Sequence, residues 1–157
     1  MAISKRLLTT LDKNKVKYDV VPHKTVYTVH DLGQTLKQKV QTIAKTLLVK
    51  VDKEYYLVVL PAHYNLDFGK VKKALKAKNV SMAKEGEMKT KFKVKPGAMV
   101  PFGFMHKLEV LLDRSLLRAE KVLFGAGTFT DSLRMKVKDF VKVQEVQTGD
   151  YGKKKSK

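Results

Sequence analysis

Few residues in this chain could carry chemistry. It has no cysteine, so thiolate nucleophiles and Cys-based zinc sites are excluded. Its histidines, His23, His30, His63 and His106, form no HExxH pattern and no paired ligand spacing, so no metal site is expected. No GxSxG elbow, Walker loop or GxGxxG element occurs, which leaves covalent serine catalysis and nucleotide hydrolysis without support. Two features remain. Lys45 heads the apolar run "AKTLLVKV" at 44–51, where a lysine either marks the solvated end of a strand or is aimed into a site. The segment "PGAMVPFG" at 96–103 combines the freedom of Gly97 and Gly103 with the stiffness of Pro101. Its backbone amides are either donors for a carbonyl or phosphate, or part of an ordinary strand-to-strand loop.

The charge balance names a class of partner. Thirty-three Lys and Arg stand against fifteen Asp and Glu, for a net charge of +18, which suggests a polyanion such as nucleic acid or, more blandly, a lysine-rich composition. Only Arg6, Arg114, Arg118 and Arg134 are arginines. Point-charge lysines favour diffuse phosphate attraction over reading of base edges. The opening "MAISKRLLTTLDK" lacks the uninterrupted apolar core of a signal peptide, and no run reaches the ~18 apolar residues of a membrane span. A soluble, cytoplasmic protein without a membrane partner is expected.

These residues must be positioned by a framework that the periodicities outline. Ile3, Leu7, Leu8 and Leu11 share a helical face, predicting a helix over 3–14. Val16, Tyr18 and Val20 alternate as in a half-buried strand that stops at Pro22. Thr28 and Asp31 make a capping-box-like helix start. The runs either side of Asp52 and Lys53 predict a β-hairpin over 46–61. "NLDFGKVKKALK" reads as a helix capped by Asn65. "SMAKEGEMKTKF" reads as a short charged helix or turn, "KLEVLLDRSLL" as a strand entering a turn at 113–115, and "KVLFGAG" as another strand. "TFTDSLRMKVKDFVKVQEV" reads as strand, short turn and last strand, and "TGDYGKKKSK" as a structureless tail. No repeat or inter-domain linker is visible, so the order argues for one α+β domain with a mixed sheet.

The ordered set "AKTLLVKVDKEYYLVVLPAHYNLDFGKVKKAL", "KPGAMVPFG" and "LEVLLDRSLLRAEKVLFGAGTFTDSLRMKVKDFVKV" resembles the YbaK/prolyl-tRNA synthetase-associated domain, the aminoacyl-tRNA editing family, over roughly residues 20–145. The motifs carrying the likeness are Lys45 before the Leu-rich strand, the GxxxP loop at 97–101 closed by Gly103, and the turn with Asp113, Ser115 and Leu116. Upstream, "PHKTVYTVHDL" puts His23 and Thr28 where the family has its His and Thr. The resemblance implies a single compact domain over 1–147, with a mixed, mainly antiparallel, barrel-like sheet flanked by short helices, and a flexible basic tail over 148–157.

The resemblance also implies hydrolysis, in trans and without a cofactor, of the ester joining a wrong amino acid to the 3′ end of a tRNA. A synthetase is a second candidate partner, and the oligomeric state is open. On this reading Lys45 holds the terminal adenosine or its phosphates, while Gly97, Pro101 and Gly103 shape a loop whose residues Ala98, Met99 and Val100 place the aminoacyl carbonyl. No protein nucleophile is required, since the ribose hydroxyl of the substrate orients the water. The chain departs from several relatives in having Gly125, Ala126, Gly127 and Thr128 at the amino-acid pocket, with Gly125, Gly127 and Thr128 expected to line it. His63 stands where a small or acidic turn residue is expected. The alternative is a noncatalytic tRNA- or RNA-binding relative of the same fold. A third reading makes the terminal lysines an anchor for anionic surfaces.

Overall fold

In the computed structural model, residues 2–95 and 97–155 are described. The chain runs through α1 (Lys5–Lys13), β1 (Tyr18–Pro22), α2 (Val29–Leu36), β2 (Ala44–Val51), β3 (Glu54–Pro61), β4 (Tyr64–Leu66) and α3 (Phe68–Leu75). It continues through β5 (Val80–Met82), α4 (Glu85–Lys91), β6 (Glu109–Asp113), β7 (Lys121–Gly125), β8 (Asp131–Lys136), α5 (Val137–Val143), β9 (Val146–Gly149) and β10 (Gly152–Lys154). The α+β class and the mixed sheet are as the sequence predicts. Among the described residues no helix is long and apolar enough to cross a membrane.

The strands fall into a five-stranded sheet in the order β5-β2-β3-β6-β9, a three-stranded sheet β1-β8-β7 and the pair β10-β4. The β2–β3 hairpin turns at Asp52, which takes the left-handed conformation at φ 54°. Its carboxylate accepts from the amides of Lys78 and Asn79, tying the turn to the entry of β5. β3–β6 and β6–β9 are parallel and the remaining strand pairs antiparallel. A parallel bridge between Ile43 and Leu123 stitches the start of β2 to β7.

The run of apolar residues in β3 follows from burial on both faces. Leu57 and Val59 join Leu48, Val110 and Leu112 in a core that includes Leu7, Phe102, Phe124 and Phe140. Val58 and Leu60 face the other way, with Val49, Leu111, Val71 and Tyr151. Phe124 and Phe140 stack with ring centroids 4.7 Å apart.

Three local expectations are corrected. Helix α3 is capped by Asp67, whose carboxylate accepts from the Lys70 amide at 3.1 Å, and not by Asn65. Asn65 belongs to β4 and pairs with Lys153. The "short turn" before the last strands is helix α5, whose Val137 and Phe140 are buried. The tail over 148–157 is structured through its described part: Tyr151 is 1% exposed, and β10 pairs with β4. Composition alone hid this, because one buried aromatic ring and one inward-turned carboxylate anchor an otherwise polar stretch. Ser156 and Lys157 lie outside the described residues.

Candidate functional site

At the end of β1, the chain leaves the sheet through residues 23–28 and enters α2. Thr28 caps this helix, its hydroxyl accepting from the Asp31 amide at 3.1 Å. Opposite this crossing lie the start of β2 and the ends of β7 and β8. Between them is a cavity of about 230 Å³. Its first wall is formed by His23, Tyr27 and Thr28, its second by Ala44, Lys45, Thr46 and Leu47, and its third by Gly125, Thr128, Asp131 and Ser132. Gly97 and Met99 reach it from the loop.

The structure therefore brings together seven predicted residues: Lys45, His23, Thr28, Gly97, Met99, Gly125 and Thr128. Ala98, Val100, Pro101, Gly103 and Gly127 do not line the cavity. Ala98, Val100 and Pro101 are buried behind it. Gly103 opens a 3-10 turn where a Cβ would come 2.1 Å from the Leu108 carbonyl oxygen, so glycine serves close backbone packing there.

The loop and the glycine-rich wall are built against each other. Gly97 has φ +84°, and a Cβ on it would lie 2.9 Å from the Tyr27 carbonyl oxygen. A Cβ on Gly125 would sit 3.1 Å from the Met99 carbonyl oxygen, and one on Gly127 3.3 Å from Val100. The two segments expected from sequence to meet at one site thus pack with almost no space for side chains between them. Tyr27, on the rim, packs on Phe129 with centroids 4.8 Å apart.

Hydrogen bonding fixes the polar lining. His23 Nδ1 lies 2.8 Å from the Lys24 carbonyl, which only accepts, so that nitrogen carries the proton. In the neutral ring Nε2 then accepts from the Ser132 hydroxyl at 3.0 Å. Thr128 Oγ1 accepts from the amides of Thr130 and Asp131 at 3.3 and 3.0 Å, a side-chain-stabilised turn that presents Asp131 and Ser132 to the cavity. Thr46 Oγ1 is buried and has no hydrogen-bond partner among the described residues. Asp131, Ser132, Thr46 and Tyr27 were not anticipated. The Thr-x-x-Asp spacing at 128–131 carried a usable signal, whereas nothing local marked Thr46.

Lys45 pairs with Leu60 across the hairpin. Its pKa is lowered to about 8, first by burial and then by the positive charge of Lys155. His63 is also pushed below its ordinary value, by burial, then Lys154, then Lys45. The Lys155 amide donates to the His63 carbonyl at 3.0 Å. The segment at Lys154 and Lys155 thus runs beside the lysine of the cavity. An ammonium held here, next to glycine-lined backbone and the Thr46 hydroxyl, suits an anionic or ester-bearing ligand.

The family model of the aminoacyl-tRNA editing domain matches residues 23–143. The prolyl-tRNA editing protein ProX of Acetoanaerobium sticklandii is 26% identical over 123 residues, spanning 74% of this chain and 75% of that protein. The multifunctional Ser/Thr-tRNA deacylase ProXp-y of Escherichia coli is 24% identical over 151 residues, spanning 93% and 90%. The proline–tRNA ligase of Macrococcus caseolyticus is 28% identical over 102 residues, which span only 18% of that enzyme. Among solved structures, hypothetical protein APE2540 superposes with a TM-score of 0.87 at 21% identity, covering 95% of this chain and all of that one. A structure described as a candidate trans-editing enzyme for prolyl tRNA synthetase gives 0.79 at 23% identity, covering 99% and 100%. With its matched region reaching from His23 on one cavity wall to beyond Ser132 on another, this chain belongs to the aminoacyl-tRNA editing domain family.

Proposed function

We propose that this protein is an aminoacyl-tRNA deacylase that hydrolyses, in trans, the ester between a mischarged amino acid and the tRNA 3′ end. The observation carrying this reading is the single cavity that joins Lys45 to the Gly97 loop and the His23–Ser132 pair in a chain of this family. Lys45 holds the terminal adenosine through its phosphate or ribose oxygens. Water attacks the ester carbonyl, and negative charge develops on the carbonyl oxygen as the carbon becomes tetrahedral. Preorganised donors stabilise that oxyanion. The Ala98 amide already donates to the Lys95 carbonyl at 3.0 Å, so the loop donors assigned to the oxyanion are Gly97 and Met99. The ribose hydroxyl next to the ester orients the water, and the ester oxygen leaves as the other ribose hydroxyl. Pro101, Gly103 and Gly127 act as supports that hold the loop in place. A cytoplasmic location and contact with a synthetase follow from the substrate and belong to the same proposal.

The test is incubation with a panel of correctly and incorrectly charged tRNAs, including alanyl-, cysteinyl- and seryl-tRNA, beside Lys45→Ala. Release of one amino acid, lost in the variant, supports the proposal. Binding of every tRNA without hydrolysis of any favours the noncatalytic relative.

A further inference from the structure

We infer that the face running from Lys45 over His63 and Tyr64 to Arg118 and Arg114, bordered by Lys153 to Lys155, is a track for a polynucleotide backbone leaving the cavity. The inference rests on the proposed function for what fills the cavity, but the track itself is argued from other residues. Two grooves lie end to end on this face. One, of about 280 Å³, is lined by His63, Tyr64, Ser115 and Arg118 among others. The second, of about 320 Å³, shares Tyr64, Ser115 and Arg118 and adds Arg114, Lys153 and Lys154. Lys155 joins the track to the cavity, its backbone amide donating a hydrogen bond to the His63 carbonyl and its charge standing beside Lys45.

The charge along this face is not cancelled. Two of the chain's four arginines stand here, and among the described residues neither Arg114 nor Arg118 has an ion-pair partner. The carboxylates lining the grooves are Asp113 and Asp150. Asp113 is 2% exposed and turned inward onto the amides of Tyr151 and Gly152. Asp150 is occupied by Lys70 at 3.0 Å. Phosphates spaced along a backbone match such a row of cations. His63 and Tyr64, both half-buried with rings edge-to-face at 4.7 Å, supply a surface against which an unstacked base can lie. An anionic membrane fits less well, because Leu117 is the one large exposed apolar side chain on the Arg114–Arg118 turn, while Val20, Phe68 and Met82 stand on other elements and Tyr27 on the cavity rim, so among the described residues no apolar patch accompanies the cations.

The experiment measures anisotropy of a fluorescent, uncharged RNA hairpin ending in a single-stranded 3′ CCA across a salt series. Wild type is compared with Lys153→Gln/Lys154→Gln/Lys155→Gln, with Arg114→Gln/Arg118→Gln, and with a remote control of equal charge loss to the lysine triple, Lys5→Gln/Lys13→Gln/Lys89→Gln. All positions keep long, soluble side chains, and thermal melts confirm folding. The track predicts roughly tenfold weaker binding for each track variant at ~0.1 M salt, and a salt slope shallower by about 2 for the lysine triple. The remote control should lose threefold or less. Equal losses in track and control variants would overturn the inference, as would lysine-dependent binding to phosphatidylserine vesicles without RNA binding. Hydrolysis of aminoacyl-adenosine, which lacks the polynucleotide, is measured in parallel. Absence of that hydrolysis in wild type counts against the deacylase reading alone, whereas equal track and control losses with hydrolysis intact count against the track alone.

Discussion

The Asp113 carboxylate accepts a hydrogen bond from the backbone amide of Tyr151 at 2.8 Å, with the Gly152 amide at 3.2 Å on the same oxygen. Its second oxygen serves Ser115, through both amide and hydroxyl. One buried acid therefore fastens the end of β6, the turn that follows it and the start of β10. Asp113→Ala strips two buried amides of their acceptor and should cost about 3 kcal/mol. Chemical denaturation measures the loss, and RNA affinity should fall with it because Lys153 to Lys155 lose their anchor.

Lys45→Ala should reduce deacylation by about 100-fold or more, the scale expected when a preorganised electrostatic contact is removed. Circular dichroism and melting should remain native, since the side chain is half-buried and makes no hydrogen bond to the protein among the described residues.

The lowered pKa of Lys45, about 8 against an ordinary 10.5, has a definite sign in stability. Between those values the native state binds fewer protons than the unfolded state, so the Lys45 contribution to stability rises with pH through that window. Below about pH 8 its cost is fully present. Lys45→Met should therefore stabilise the fold at pH 7, by about 1 kcal/mol after allowance for solvent screening. Affinity for uncharged tRNA should decline above pH 8 in wild type more than in Lys45→Met.

Gly97→Ala should impair both fold and turnover. Its φ of +84° and the 2.9 Å approach to the Tyr27 carbonyl leave no place for a methyl group. A cost of about 1 to 3 kcal/mol is expected from the backbone alone, with a fall in kcat as the loop withdraws from the cavity. Steady-state kinetics at a temperature well below the variant's Tm separate the two effects.

Thr46→Val tests whether the unpartnered hydroxyl belongs to the ligand. Removing a buried polar atom that bonds to nothing should leave stability unchanged or raise it by about 1 kcal/mol. If the hydroxyl bonds the substrate, kcat/KM should nevertheless fall about tenfold. A variant that is more stable and fully active would leave Thr46 without a part in catalysis.

Much of this was legible in the sequence, for identifiable reasons. The β2–β3 hairpin and the Thr28 cap were readable because alternation and capping are local patterns. The loop and the glycine wall were joined in the sequence by the resemblance to the editing family and by no local pattern; in the structure Gly97 and Gly125 lie against backbone where a side chain would not fit. What escaped depended on distant partners. β4 forms because β10 lies beside it, which moved the α3 cap from Asn65 to Asp67. Likewise β10 depends on Asp113, far away in the chain. Gly103 shows the converse limit, since its glycine serves packing against Leu108 and not the cavity.

His23 and Ser132, bonded across the cavity, are 109 residues apart. A ribosome adding ~5 to 20 residues per second makes the first of this pair roughly 5 to 20 s before the second. Late in that interval the growing chain already contains Lys45 and the Gly97 loop, yet the wall that faces them is not complete until Ser132 is added. The newborn chain therefore carries Lys45 and the loop before it has a cavity to hold them, and the site closes only after β8 pairs back onto β1.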